Sequence, residues 1–87
     1  MKKIHEISNI LSKINSKEEI NLFLNELLTE SEIDALSKRW RILSMLKQGI
    51  PQRDIAKELN VSLCKITRGS KILKQKDSVI RKHLIKE

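Results

Sequence analysis

Apolar residues recur at intervals of three and four along most of the chain, and this period limits the fold more than any other feature of the sequence. The clearest stretch has apolar side chains at Ile33, Leu36, Trp40, Leu43 and Leu46. Such spacing places side chains on one face of an α-helix. Residues that small sheets use are scarce, because the chain has one Trp, one Phe and no Tyr. The pattern therefore predicts an all-α protein.

Capping and turn residues divide this chain into about six short helices. Two segments, beginning at Ser16 and Thr29, have the spacing of a capping box, in which a side-chain oxygen and a glutamate satisfy the first N–H groups of a helix. Gly49 can end the third helix in a left-handed conformation, and Pro51 is compatible with the start of the next. Residues 77–87 are predicted to form the last helix. Connections are short, so we expect a single helical domain over residues 1–87.

Residues 52–74 have the pattern of a helix-turn-helix. A short helix is predicted over residues 52–59, with Ile55 facing inward, and a second helix is predicted to begin at Leu63. Asn60 is expected in the left-handed conformation of the turn, and Ser62 is expected to cap the second helix. Ile66 should then fill the angle between the two helices. An ordinary helical hairpin is the alternative interpretation of the same pattern.

The net charge of +7 is concentrated in the same part of the chain. Residues 1–51 hold eight Lys and Arg against seven Asp and Glu, whereas residues 52–87 hold ten against four. A local basic patch suggests a polyanionic partner, although a solvated lysine-rich helix face has the same composition. If the partner is double-stranded DNA, the predicted contacts are Gln52, Arg53, Ser62, Leu63, Cys64, Lys65, Thr67 and Lys71.

Other classes of protein have little support in the sequence. The two histidines, His5 and His83, lie at opposite ends and have no evident catalytic partners, so we expect no enzyme. A single cysteine, Cys64, allows no internal disulfide, and we expect a cytoplasmic location. No metal-ligand spacing is present, so we expect no metal or cofactor. The longest apolar run is three residues, which predicts no membrane span. A chain this short also favours a homodimer.

Over roughly Leu24 to Leu73, more than half of its length, the chain resembles the tryptophan repressor family. The matching residues are Leu28-Thr29, Glu32, Ala35-Leu36, Arg39, Arg41-Ile42, Gly49, Gln52-Arg53, Glu58-Leu59 and Ile66-Thr67-Arg68-Gly69-Ser70. The string from Ile66 to Ser70 is the most specific part of this match. The resemblance implies an intertwined all-helical homodimer, in which residues 1–50 supply the dimerisation helices and residues 52–74 form the DNA-reading head.

The resemblance also implies a function, namely sequence-specific repression of tryptophan-related genes with L-tryptophan as corepressor. The ligand-binding residues that it implies are Leu28, Thr29, Arg39, Arg68, Gly69 and Ile72. In the family, two arginines hold the indole of the ligand between them, and Arg39 and Arg68 occupy those positions. Ile72 stands where the family has a serine near the amino group of the ligand, so a related indole is a second possible ligand.

Residue chemistry alone leaves simpler interpretations open. Arg39 could form a surface salt bridge with Asp34 or a neighbouring residue, and Arg68 could contact a phosphate. The whole chain could equally be a helix-turn-helix protein that binds DNA without a ligand. A basic helical protein-interaction module is the alternative from a different class.

Overall fold

The computed structural model describes residues 2–85, which form six α-helices after a short 3-10 turn at Lys2–Ile4. The helices are α1 His5–Leu11, α2 Lys17–Leu27, α3 Glu30–Lys47, α4 Gln52–Leu59, α5 Leu63–Lys74 and α6 Val79–Ile85. No strand occurs among the described residues, and the predicted all-α class with about six helices is confirmed. Within residues 2–85, no helix combines the length and apolarity needed to cross a bilayer.

The two predicted capping boxes differ in how completely they form. At the start of α3, the Glu32 N–H donates to Thr29 Oγ1 at 3.2 Å and the Thr29 N–H donates to Glu32 Oε1 at 2.9 Å, so this box is complete. At the start of α2, Ser16 Oγ accepts from the Glu19 N–H at 3.2 Å. The Ser16 hydroxyl then donates to Glu18 Oε1 at 3.0 Å, so the carboxylate involved is one residue earlier than the box pattern predicts.

A residue in the left-handed conformation ends each of α3 and α4, as the sequence predicts. Gly49 has φ +85°, and the Ile50 N–H donates to the Met45 carbonyl at 3.1 Å. Asn60 has φ +53°, and the Val61 N–H donates to the Ala56 carbonyl at 3.1 Å. Both bonds close a helix across the left-handed residue, and they fix where α3 and α4 end.

Two predictions about helix starts need correction. Ser62 occupies the N-cap position of α5 but its side chain makes no capping hydrogen bond. The last helix begins at Val79 rather than at residue 77, because Ser78 Oγ accepts from the Arg81 N–H at 3.1 Å and so serves as the cap. Residues 86 and 87 of the predicted helix lie outside the described residues.

The chain divides into two compact units, with the boundary between residues 34 and 35 inside α3. No side chain described in the first unit is buried, and large apolar residues there remain exposed: Ile4, Ile10, Leu22 and Leu27. A helical unit without a buried core gains little hydrophobic stabilisation by itself. The single domain over residues 1–87 stays a prediction, as does its division into residues 1–50, 52–74 and 77–87.

The core of the second unit joins three helices. Ile42 and Met45 of α3 pack with Ile55 of α4 and Ile66 of α5, and the last two are fully buried. Burial of one such side chain contributes about 2 kcal/mol. The predicted inward positions of Ile55 and Ile66 are therefore confirmed.

The apolar stripe of α3 is only partly buried. Leu43 is buried, but Leu36 is 50% exposed and Trp40 is 44% exposed. Ile42 and Met45, which the predicted stripe omits, are buried instead. The reason is that α4 and α5 pack on the face of α3 that carries Ile42 and Met45, so the neighbouring face stays open.

Candidate ligand cavity and helix-turn-helix surface

A cavity of about 380 Å³, partly open to solvent, lies between α3 and α5 in the second unit. Its lining from α3 is Leu36, Arg39, Trp40, Ile42 and Leu43; its lining from α5 is Lys65, Arg68, Gly69 and Ile72. Ile80 of α6 completes it. Four residues of each helix share the spacing i, i+3, i+4 and i+7, which defines a single helix face. The volume is within the range of small-molecule sites, which begins at about 300 Å³.

Gly69 sets how closely α5 approaches α3. The residue is buried, and a Cβ added to it would lie 3.2 Å from Ile42 Cγ2, 3.3 Å from Leu46 Cδ1 and 3.4 Å from Leu43 Cδ2. Any larger side chain would have to push these core groups aside. Gly69 therefore serves the packing of the two helices as well as forming part of the cavity surface.

The two arginines singled out in the sequence line this cavity from opposite helices. Arg39 belongs to α3 and Arg68 to α5. Neither guanidinium has a hydrogen-bond or ion-pair partner in the part of the chain that the structure describes. The neighbouring Arg41 does form a pair, at 3.9 Å from Glu58, with both side chains largely exposed. Arg39 thus forms no salt bridge within residues 2–85, and the salt-bridge interpretation of this residue has no support there.

The cavity brings together Arg39, Arg68, Gly69 and Ile72, four of the six predicted ligand-binding residues. Leu28 and Thr29 belong to the first unit and are not part of this lining. The Thr29 hydroxyl oxygen accepts a hydrogen bond in the capping box of α3. Contact of these two residues with a ligand stays a prediction.

The helix-turn-helix forms with the predicted helices, and its predicted DNA contacts are all exposed. They lie at the start of α4 and on the outer side of α5 and its preceding turn: Gln52, Arg53, Ser62, Leu63, Cys64, Lys65, Thr67 and Lys71. The Thr67 hydroxyl donates to the Leu63 carbonyl at 3.0 Å. Because a phosphate needs a donor, Thr67 can serve one only by giving up this bond.

The sequence did not identify six of the ten lining residues as part of a ligand site. Five of them had no predicted role in ligand binding: Leu36, Trp40, Ile42, Leu43 and Ile80. The sixth, Lys65, was predicted to contact DNA alone, although it also lines the cavity. The α3 residues were detectable through their shared helix face with Arg39. Ile80 had no local signal, because its position depends on the connection between α5 and α6. No cluster of three or more His, Cys, Asp or Glu in the described part could hold a metal ion.

Curated relatives of the chain are described as "Trp operon repressor homolog". The protein from Haemophilus influenzae (strain PittEE) is 46% identical over 56 residues, which cover 63% of this chain and 55% of the relative. The protein from Xylella fastidiosa (strain M23) is 42% identical over 62 residues, covering 70% of this chain and 67% of the relative. The protein from Actinobacillus succinogenes is 45% identical over 56 residues, covering 63% and 55% respectively.

The chain spans about half the length of several of the curated relatives that it matches, including those from Haemophilus influenzae. No solved structure matches it. The family model described as Trp repressor protein matches residues 2–87, nearly the whole chain. The chain therefore belongs to the Trp repressor protein family.

Proposed function

We propose that this protein is a sequence-specific DNA-binding transcriptional repressor that controls tryptophan-related genes, with L-tryptophan or a related indole as corepressor. The observation that supports this proposal is that α5 contributes to two surfaces, the cavity and the exposed face of the helix-turn-helix. One face of α5 lines the cavity through Arg68, Gly69 and Ile72, while another face exposes Cys64 and Lys71 to solvent. A ligand in the cavity therefore touches the helix that would contact DNA.

The cavity has the chemistry to hold a flat aromatic carboxylate. A guanidinium group attracts the π face of an indole and can also bind a carboxylate through two parallel hydrogen bonds. Arg39 and Arg68 line the cavity from α3 and α5 and have no other partner in the described chain. Two arginines on facing helices can therefore enclose an indole, and either one can bind its acid group.

Ligand binding would act on DNA affinity by fixing α5 against α3. Gly69 allows close contact between the helices, so a ligand in the cavity would contact both of them. A ligand that binds the competent orientation more tightly shifts the population towards it. Linkage then requires that DNA tighten ligand binding by the same factor.

A homodimer would present two such helices to successive major grooves, about 34 Å apart. The exposed apolar side chains of the first unit, among them Leu22 and Leu27, support a second copy as the surface that covers them. In each DNA-reading head, Gln52 and Arg53 at the start of α4 can contact phosphates or guanine. Leu63 and Cys64 would bring apolar atoms to the major groove, where a thymine methyl is accessible.

The test measures affinity for a palindromic duplex, selected from a randomised pool, with and without saturating L-tryptophan. We expect the ligand to tighten binding about tenfold or more, which is within the usual range of allosteric coupling. Fluorescence anisotropy of the labelled duplex provides the measurement. Equal affinities in the two conditions would contradict ligand gating while leaving DNA binding intact.

Two arginines of α3 provide a matched pair of variants for this test. Arg39→Ala removes an exposed guanidinium that lines the cavity, whereas Arg41→Ala removes an exposed guanidinium outside it. We expect Arg39→Ala to weaken ligand binding about tenfold and Arg41→Ala to leave it unchanged. Equal losses in both variants would show that charge in general, rather than the cavity, determines ligand affinity.

Salt dependence separates DNA binding from a protein-interaction role. If a dimer neutralises about six phosphates, the logarithm of the association constant falls with the logarithm of the salt concentration with a slope near −5. The same titration on a duplex without the selected sequence measures the non-specific component. A flat response on both duplexes would favour the basic interaction module.

A further inference from the structure

The positive charge of the second unit continues beyond the helix-turn-helix. Residues 71–82 hold five Lys and Arg against one Asp. These five cations, which we call the α5–α6 basic patch, are Lys71, Lys74, Lys76, Arg81 and Lys82. All of them except Arg81 are exposed. Only Lys71 is a predicted DNA contact, so the remaining cations extend the charge from the end of α5 across the connection to α6.

An open depression of about 610 Å³ lies at the connection between α5 and α6. Its lining is Lys76, Asp77, Ser78, Val79, Arg81 and Lys82. No hydrogen bond or ion pair within residues 2–85 involves the ammonium group of Lys76 or Lys82. Asp77 is exposed and forms no ion pair with them. The connection therefore brings two ammonium groups without partners in the described chain to one concave surface.

Contacts on two sides of α6 attach it to α5. The guanidinium Nη1 of Arg81 donates to the Gln75 carbonyl at 3.4 Å, and the Arg81 backbone N–H donates to Ser78 Oγ at 3.1 Å. On another side of α6, Ile80 lines the cavity together with residues of α5, and Leu84 is buried. The backbone that carries the two lysines of the depression is therefore held in a defined position relative to the helix-turn-helix.

The length of α5 places its last turn near the edge of a major groove. The twelve residues Leu63–Lys74 span about 18 Å at about 1.5 Å per residue. The major groove is about 12 Å wide and about 8.5 Å deep. If the first turn of α5 lies in the groove, the last turn lies at the level of the phosphates, where Lys71 and Lys74 are exposed. Lys76 follows two residues later, so the α5–α6 basic patch continues along the DNA backbone.

We infer that the depression at the α5–α6 connection binds a phosphate of the DNA backbone outside the base pairs that α5 reads, through Lys76 and Lys82. This inference rests on the proposed function and adds a contact surface to it. A lysine ammonium binds a phosphate as a point charge, without the planar geometry that a guanidinium needs. Two ammonium groups would also suit the carboxylates of an acidic protein, but the continuity of the patch with α5 favours DNA. Because phosphate contacts fix the register of a protein on a duplex, α6 would position the helix-turn-helix without reading bases.

A pair of charge-matched double variants tests this contact by its salt dependence. Lys76→Gln with Lys82→Gln removes two exposed charges from the depression, and Lys13→Gln with Lys17→Gln removes two exposed charges from the first unit. Circular dichroism checks that both variants keep the helical fold. Loss of one phosphate contact in each protomer of a dimer reduces the salt slope by about 2. The ratio of wild-type to Lys76/Lys82 variant affinity should therefore fall about tenfold between about 50 and 200 mM salt, and the ratio for the control should stay constant.

Duplex length provides a second measurement of the same contact. The span of α5, about 18 Å, corresponds to about five base pairs of duplex. One duplex ends at the selected palindrome, and the other carries about five further base pairs on each side. At about 50 mM salt, these flanks should tighten binding by the wild type and the control about tenfold more than binding by the Lys76/Lys82 variant. Equal gains in the three proteins, no gain in the wild type, or a variant with the wild-type salt slope would overturn the inference.

Failure of this inference can be distinguished from failure of the proposed function. If the wild type binds the palindrome more tightly with L-tryptophan, while the Lys76/Lys82 variant matches it in salt slope and in the gain from flanks, the proposed function stands and the phosphate contact is wrong. If the wild type shows no salt-dependent binding to any duplex, DNA binding itself is wrong and the contact fails with it. If only the Lys76/Lys82 variant loses the gain from flanks, both are supported.

Discussion

Replacement of Gly69 by alanine tests whether α3 and α5 are as close as the cavity requires. A methyl group at this position would lie 3.2 Å from Ile42 Cγ2 and 3.3 Å from Leu46 Cδ1. These contacts are short for carbon atoms, whose optimal separation is about 3.5–4.0 Å. The neighbours are the ends of side chains, so they can yield by a few tenths of an ångström, but Ile42 is only 2% exposed and has little room.

Two opposing effects decide the sign of the change in stability. Alanine inside a helix is favoured over glycine by about 1 kcal/mol. An extra methyl group in a packed core costs about 1–3 kcal/mol, and we take about 2 kcal/mol because the side chains of Ile42 and Leu46 must both move. The net expectation for Gly69→Ala is a loss of about 1 kcal/mol. For a domain of this size such a loss lowers Tm by about 4–8 °C.

Urea unfolding followed by circular dichroism, at one fixed protein concentration, measures this difference. Lys71→Ala and Lys71→Gly on the exposed side of α5 calibrate the propensity effect alone, because no close packing is involved there. We expect the free energy of unfolding of Lys71→Ala to exceed that of Lys71→Gly by about 1 kcal/mol. If Gly69→Ala instead stabilises the protein by this amount, the close approach of α5 to α3 is wrong, and the cavity between them is not defined as described.

Three further pairs of variants test individual features. At Gly49, where φ is +85° and nothing would touch a Cβ, alanine should cost about 1 kcal/mol through backbone strain in urea unfolding, and asparagine should cost less. Thr29→Ala should destabilise the protein by about 1 kcal/mol in the same measurement, whereas Ser62→Ala, which removes no capping bond, should have almost no effect. In DNA titrations, Thr67→Val should leave affinity nearly unchanged because its hydroxyl is bonded to α5 itself, whereas Lys71→Gln should reduce the salt slope by about 1. If the two variants of a pair change stability or DNA binding equally, the structural difference on which that pair depends is wrong: the strained backbone at Gly49, the capping bond of Thr29 or the internal bond of Thr67.

Helix boundaries in this chain could be predicted because their signals are local. Thr29 and Glu32 satisfy each other's backbone groups, and Gly49 and Asn60 take left-handed conformations that few other residues adopt. Such signals depend on the residues within one turn of helix, so no knowledge of packing is needed. Ser62 shows the limit of this reasoning, because a suitable residue at the N-cap position makes no capping bond here.

Which face of α3 is buried could not be predicted from its period. Leu36, Trp40 and Leu43 form one apolar set with helical spacing, while Ile42 and Met45 lie on a neighbouring face. Both sets fit a helix packed on a core, and only the positions of α4 and α5 determine that the second set is buried more completely. The position of Ile80 is still harder to predict from the sequence, since it depends on how α6 packs after the connection that follows α5.

A signal for the cavity was nevertheless present in the sequence, in the cations rather than in the apolar residues. Arg39 lies on the same helix face as Leu36 and Trp40, and Lys65 and Arg68 share a face of α5 with Ile72. An unpaired cation is too costly to bury in a core, so a stripe that mixes cations with large apolar side chains is better suited to an open cavity than to packing. Two such stripes on helices that pack together predict a cavity between them, with an apolar surface for a ring and positive charge for an anion.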